Sequence, residues 1–152
     1  MVKLTARVIG YKHYEGVVDI TDPCYSKGTW CRMNATVKAG EYSCIIYKFK
    51  DPHESYQRVG IIGIYLDHKV PDENAMEKIG EIGVDAGLAG FFMDKPDYTD
   101  NEWDRLCNSI TKGCAWIKDD GFFSSSGYGD GMYDVYAYRQ NGEIVALEIR
   151  FI

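Results

Sequence analysis

Three short segments join an acid to small or kinked backbone, and these are the places where the sequence offers chemistry. They are Val18-Asp19-Ile20-Thr21-Asp22-Pro23-Cys24-Tyr25, Gly83-Val84-Asp85-Ala86-Gly87, and Ser124-Ser125-Ser126-Gly127-Tyr128-Gly129-Asp130-Gly131-Met132-Tyr133. Glycine lets main-chain N–H groups come close to a carboxylate or a ligand. If Asp22, Asp85 and Asp130 met in one cleft, three oxygen donors from separate loops could hold a divalent cation for hydrolysis. If instead the tyrosines led, Tyr25, Tyr128 and Tyr133 would offer rings to stack and hydroxyls to bond, as binding surfaces do. The plainer alternative is that each carboxylate caps its own turn, as Asp does before Pro23.

Complete catalytic constellations are missing. Cys24 would need a lowered pKa to act as a nucleophile, and no histidine lies near it in sequence. The serine run at 124–126 lacks the GxSxG elbow, Asp130 lacks the DxDxDG context of a calcium loop, and neither GxxxxGK[ST] nor GxGxxG occurs. We therefore assign no catalytic residue, no metal and no cofactor. Asp22, Tyr25, Asp85, Tyr128, Asp130 and Tyr133 stand as candidate ligand- or partner-binding residues on turns expected to line one surface.

Charge and composition narrow the class. With 17 basic against 23 acidic residues the net charge is −6, and no basic stripe exists to follow phosphates, so direct nucleic-acid binding is not expected. Five cysteines without CxxC pairs point to reduced thiols rather than a zinc site. No apolar stretch approaches membrane length and the first residues alternate rather than forming a leader's apolar core, so a cytoplasmic location and no membrane partner are expected. The length suits one domain over residues 1–152, and 12 tyrosines favour half-buried sheet. Oligomeric state has no signature here.

The elements that must position the turns read as α+β, with antiparallel strands dominating. Residues 2–8 alternate, residues 16–21 form a second strand ending at Asp22-Pro23, and residues 30–37 and 42–49 flank Lys38-Ala39-Gly40-Glu41 as a hairpin. Residues 56–66 read as a long strand in which Gly60 and Gly63 mark bulges or close approaches. Residues 72–78 could make one or two helical turns after Pro71. The four glycines of 80–92 favour strand, turn, strand. The main helix runs from Thr99 to Lys112: Thr99 and Glu102 make a capping box, and Trp103, Leu106, Cys107 and Ile110 form one apolar stripe that Gly113 ends. Residues 132–139 and 143–152 bracket Gln140-Asn141-Gly142, whose Asn-Gly is a strong hairpin signal, and the last strand reads as central or near-central in the sheet.

DPCY, VDAG and SSGYGDGxYxVYAY, spread from Asp19 to Ile152, resemble a family of phage and bacterial proteins known as domain of unknown function 4241. Asp134 departs from the proline often found there. The resemblance carries no reaction; it implies a gene of phages or mobile elements, where small accessory proteins block host defence. The expected function is thus a non-enzymatic binder that holds a host defence protein or sequesters a small, nucleotide-like ligand. The alternatives are a small metal-dependent hydrolase on clustered aspartates and an acidic mimic of nucleic acid.

Overall fold

The computed structural model describes residues 3–25, 31–93, 98–108, 115–118 and 121–152. One long antiparallel hairpin organises it. β1 (Thr5–Thr21) and β2 (Met33–Lys50) pair along nearly their whole lengths. The sequence suggests two strands in each of these stretches. What reads as breaks are irregular steps in a continuous ladder, one between Val8 and Gly10 and one between Tyr14 and Gly16. No hairpin forms at residues 38–41, because both halves of β2 find their partner in β1. Gly16, at φ +71°, sits at the second step, and across from it the Tyr42 hydroxyl donates to the Lys38 carbonyl at 2.6 Å. The step at Val8 also reverses the expected facing: Val8 is exposed, and Ile9 packs on the core. Residue 30, where the sequence starts the third strand, lies outside the described residues.

The other strands extend this hairpin on both sides. β3 (Gln57–Leu66), β4 (Glu77–Val84), β5 (Leu88–Phe92), β6 (Ala115–Lys118), β7 (Gly121–Ser125), β8 (Gly131–Gln140) and β9 (Glu143–Arg150) join β1 and β2 in one sheet ordered β4-β8-β9-β3-β2-β1-β5-β7-β6. Its ladders are antiparallel except for a single parallel bridge, Val37 to Ile144. Gly60 is the extra residue where Tyr47 faces Ile61 and Lys48 faces Val59, so it is a bulge as its type suggests. The β8–β9 turn has Asn141 and Gly142 both at positive φ, the geometry that Asn-Gly favours. β9 lies inside the sheet, and Ile144, Leu147, Ile149 and Phe151 are buried.

The sheet curls so that β4, at one edge, returns to β1 and β2, and a single large cluster fills the enclosed face. Tyr14, Ile20, Ile46, Ile62, Phe91, Phe122 and Leu147 are among its fully buried members. The expected turns at 72–78 shrink to one 3-10 turn, Glu73–Ala75, because β4 recruits the residues from Glu77 onward. α1 (Asp100–Asn108) starts with the expected reciprocal cap: the Glu102 N–H donates to Thr99 Oγ1 and the Thr99 N–H to Glu102 Oε1. Leu106 packs on Phe92 and Phe123, which seats the helix on the β5–β7 side. The rest of the expected helix, residues 109–112, and Gly113 lie outside the described residues.

Candidate functional site

The first turn is built inward. Pro23 stops β1, and the side chain of Asp22 is fully buried beneath it. One carboxylate oxygen, Oδ1, accepts from the Cys24 N–H at 2.9 Å. The other accepts from the N–H groups of Asp85 at 2.8 Å and Ala86 at 2.6 Å. The Asp22 carboxylate therefore staples the first turn to the second. Arg32 braces the same corner, with its guanidinium 3.2 Å from Asp19 and donating to the Tyr25 carbonyl at 3.0 Å. Burial and the neighbouring Asp22 carboxylate push the Cys24 thiol up to about 12, so it stays protonated and poorly nucleophilic at neutral pH. Burial, with Cys31 beside it, likewise holds the Tyr25 hydroxyl above its ordinary range.

The third turn docks on the second. The Ser126 N–H donates to the Gly87 carbonyl at 3.0 Å, and the turn closes on itself through the Gly129 N–H and the Ser126 carbonyl at 2.8 Å. Gly127 and Gly129 take positive φ there, which glycine permits without strain. The Tyr133 hydroxyl donates to the Gly129 carbonyl at 2.6 Å, and its ring packs edge-on against Phe151. The three turns thus lie in a row, joined by hydrogen bonds. Their side chains do not share a cleft. Asp22 points in and is occupied by backbone, Asp85 and Asp130 are exposed, and Tyr133 supports the third turn from below. Among the described residues no three histidine, cysteine or acidic side chains gather as possible metal ligands.

Tyr128 leads instead to residues that sequence reasoning did not single out. Its hydroxyl donates to Asp51 Oδ2 at 2.5 Å, and its ring covers the Arg58 guanidinium at 4.6 Å. The ring of Tyr56 flanks the same guanidinium at 5.1 Å. Arg58 is fixed in this clamp by two bonds to the Glu54 carboxylate, at 2.7 and 2.5 Å, and one to the Gly127 carbonyl at 3.0 Å. The bonded Tyr128 hydroxyl lowers the Asp51 carboxyl below its ordinary value, and Arg58 does the same for Glu54. Both rings stay wet, Tyr56 at 46 % and Tyr128 at 58 % exposure. Beside them a cavity of about 240 Å³ runs between Tyr56, Arg58, Gly87 and the third-turn residues Ser125, Ser126, Gly127 and Gly129. Tyr56 lies in the bend just before β3 and Arg58 is the second residue of that strand; two polar aromatic and basic side chains two apart were the available signal.

A second cluster also escapes sequence reasoning. His68, in left-handed backbone at φ +61°, takes Ser43 Oγ at Nδ1 in a short contact and has Glu41 3.4 Å from Nε2. The Glu41 carboxylate favours a proton on Nε2, which leaves Nδ1 to accept from the hydroxyl. The order resembles a nucleophile, base and orienting acid. Ser43, however, is buried mid-strand between β1 and β3, where the ladders occupy the backbone N–H groups that an oxyanion would need. The cluster pins the turn after β3 to β2.

No protein-family profile, no curated protein and no solved structure matches the chain. No helix among the described residues is long and apolar enough to cross a membrane.

Proposed function

We propose that this chain is a non-enzymatic binding module whose contact surface is the Tyr56–Arg58–Tyr128 clamp and the third turn beside it. The observation that carries the reading is that two large rings are held in water beside a guanidinium that the Glu54 carboxylate, the Gly127 carbonyl and the Tyr56 hydroxyl already fix. Exposed rings cost solvation unless something covers them, and tyrosine and arginine dominate the energetics of protein interfaces. Here the clamp pre-orders them, so little side-chain entropy is lost on binding. Because Glu54 already neutralises Arg58, the surface favours a polar, ring-rich protein face over a bare anion. The family resemblance supplies the setting, a phage or mobile element in a bacterial cytoplasm, and makes a host defence protein the partner. Arg58→Ala and Tyr128→Ala, each with its melting temperature checked, should abolish capture of that partner from host cells, whereas Val17→Ala on exposed β1 should not. Capture unchanged in both clamp variants would remove the proposal.

A small nucleotide-like ligand is the second reading. The 240 Å³ cavity, with Ser126 and glycine backbone around it, favours it. Thermal shift with nucleoside monophosphates separates the two: stabilisation of the wild type that Tyr56→Ala loses would favour the ligand over the protein.

A further inference from the structure

We propose that a wedge between β2 and β4, at the opposite end of β2 from the tyrosine clamp, is a slot that accepts an extended peptide strand from a partner. The curled sheet does not close. Two residues ahead of β2 the Cys31 carbonyl accepts from the Gly83 N–H of β4 at 2.8 Å, and beyond that bond no ladder joins β2 to β4 among the described residues. On the side of β2 facing β4, Val37 is bridged to Ile144, and residues 33–36 have no strand partner among the described residues. Among the described residues β4 is an edge strand whose one ladder runs to β8. Two strand edges therefore face each other across a cavity of about 460 Å³ lined by residues 33–38, Ile79 and the β8–β9 turn.

Two bulges keep the wedge open. In β4 the ladder steps from Lys78–Tyr136 to Gly80–Val135, so Ile79 is the extra residue and lines the cavity. In β9 the step from Ala146 to Ile144 leaves Val145 extra and swings Ile144 across to Val37. Bulges of this kind re-aim side chains and end pairing. The floor is apolar: Met33, Ala35 and Ile79 pack on the core yet are only half-buried. Lys38 and Glu143, two exposed side chains of opposite charge without an ion-pair partner among the described residues, line the mouth, whereas Arg139 is already paired with Glu77.

Facing edges, an apolar floor and a charged mouth suit one occupant. A strand-forming segment would supply the missing main-chain bonds and place alternate small apolar side chains on Met33, Ala35 and Ile79. It would carry an acid for Lys38 and a base for Glu143 at the mouth. A compact ligand would leave the strand edges unpaired, and the acid-base pair at the mouth favours a peptide over an anion.

The test screens the full chain against a phage-displayed random heptapeptide library and then measures a synthetic copy of the enriched peptide. Enrichment of alternating sequences carrying an acid is expected, with at least tenfold slower amide exchange confined to residues 33–37 and 77–82. Ala35→Trp, which fills the slot, should weaken binding on the order of tenfold or more. Lys38→Glu, an exposed change that leaves the fold intact, should shift selection from acidic to basic peptides. No enrichment, or enriched peptides that bind the Lys38→Glu variant equally well or leave those amides unprotected, would overturn the proposal. Tyr128→Ala should leave peptide binding unchanged, so this result stands apart from the fate of the tyrosine clamp.

Discussion

Replacing Asp22 with Asn keeps the size of the side chain and removes its charge and one of its two acceptor oxygens. In the native turn those two oxygens take three N–H groups, from Cys24, Asp85 and Ala86, at 2.6 to 2.9 Å in full burial. An Asn oxygen can serve either the Cys24 side or the Asp85–Ala86 side. The amide NH2 then meets an N–H head-on, and two buried donors go without an acceptor. A bond to a charged group contributes about 1.5–3 kcal/mol, and an orphaned buried donor costs about 1–3 kcal/mol. Because these overlap, the loss should be about 3–4 kcal/mol. At about 2–4 °C per kcal/mol for a chain of this size, the melting temperature should fall by roughly 10 °C. Asp85→Asn is the control: its carboxylate is exposed, its N–H donors remain, and the change should stay within about 0.5 kcal/mol. Urea denaturation of both variants, followed by circular dichroism, reads the difference directly. An Asp22→Asn protein within about 0.5 kcal/mol of wild type would refute the view that this carboxylate staples two turns, and would return it to the list of functional groups.

Gly90→Ala should destabilise by about 3 kcal/mol in the same assay, because a Cβ there would sit 2.2 Å from the Phe122 carbonyl oxygen on β7, a backbone atom that cannot swing aside. Gly142→Val should cost about 1 kcal/mol or more, since φ is +81° and a β-branched residue resists it; an unchanged melting temperature would count against the turn. Iodoacetamide at neutral pH should label Cys24 slowly, as mapped by peptide mass spectrometry, and rapid selective labelling would contradict a thiol pushed up to about 12. The Asp51 and Glu54 carboxyls are lowered in the folded protein, so the bonds they hold are present above the ordinary carboxylate range and are lost only as pH falls through the depressed values. NMR shifts of the Tyr56 and Tyr128 rings should therefore hold through the ordinary carboxylate range and move only below it, and a transition within or above that range would contradict the clamp.

The legible parts of this fold are those whose signals are local. Asn141-Gly142 encodes its turn in two residues, Thr99 and Glu102 encode a cap in four, and Gly60 marks a bulge that it then forms. Where the residues alone suggest breaks, at residues 9–15 and 38–41, the deciding fact is the partner strand. An apparent break that would end an isolated strand becomes an irregular step when a long ladder holds both sides. The short 3-10 turn at Glu73–Ala75 follows the same rule, since pairing with β8 outweighs a weak helical preference. The three acidic turns are adjacent, as their composition suggests, but sequence cannot say which way a carboxylate points. Asp22 faces inward because Asp85 and Ala86, more than 60 residues away, bring their N–H groups to it. Tyr128 turns outward because Asp51 and Arg58, on other elements, receive it.

The central claim is that the Tyr56–Arg58–Tyr128 surface meets a partner, and site-specific photo-crosslinking tests it most directly. The photoreactive phenylalanine analogue p-benzoyl-phenylalanine would replace Tyr128 in one sample, Tyr56 in a second and Val17, exposed on β1, in a third, each expressed in bacterial host cells and irradiated. One discrete adduct formed from positions 128 and 56, lost on adding Arg58→Ala and missing from position 17, is the expected result. No adduct from either tyrosine position, or the same adducts from position 17, would contradict it.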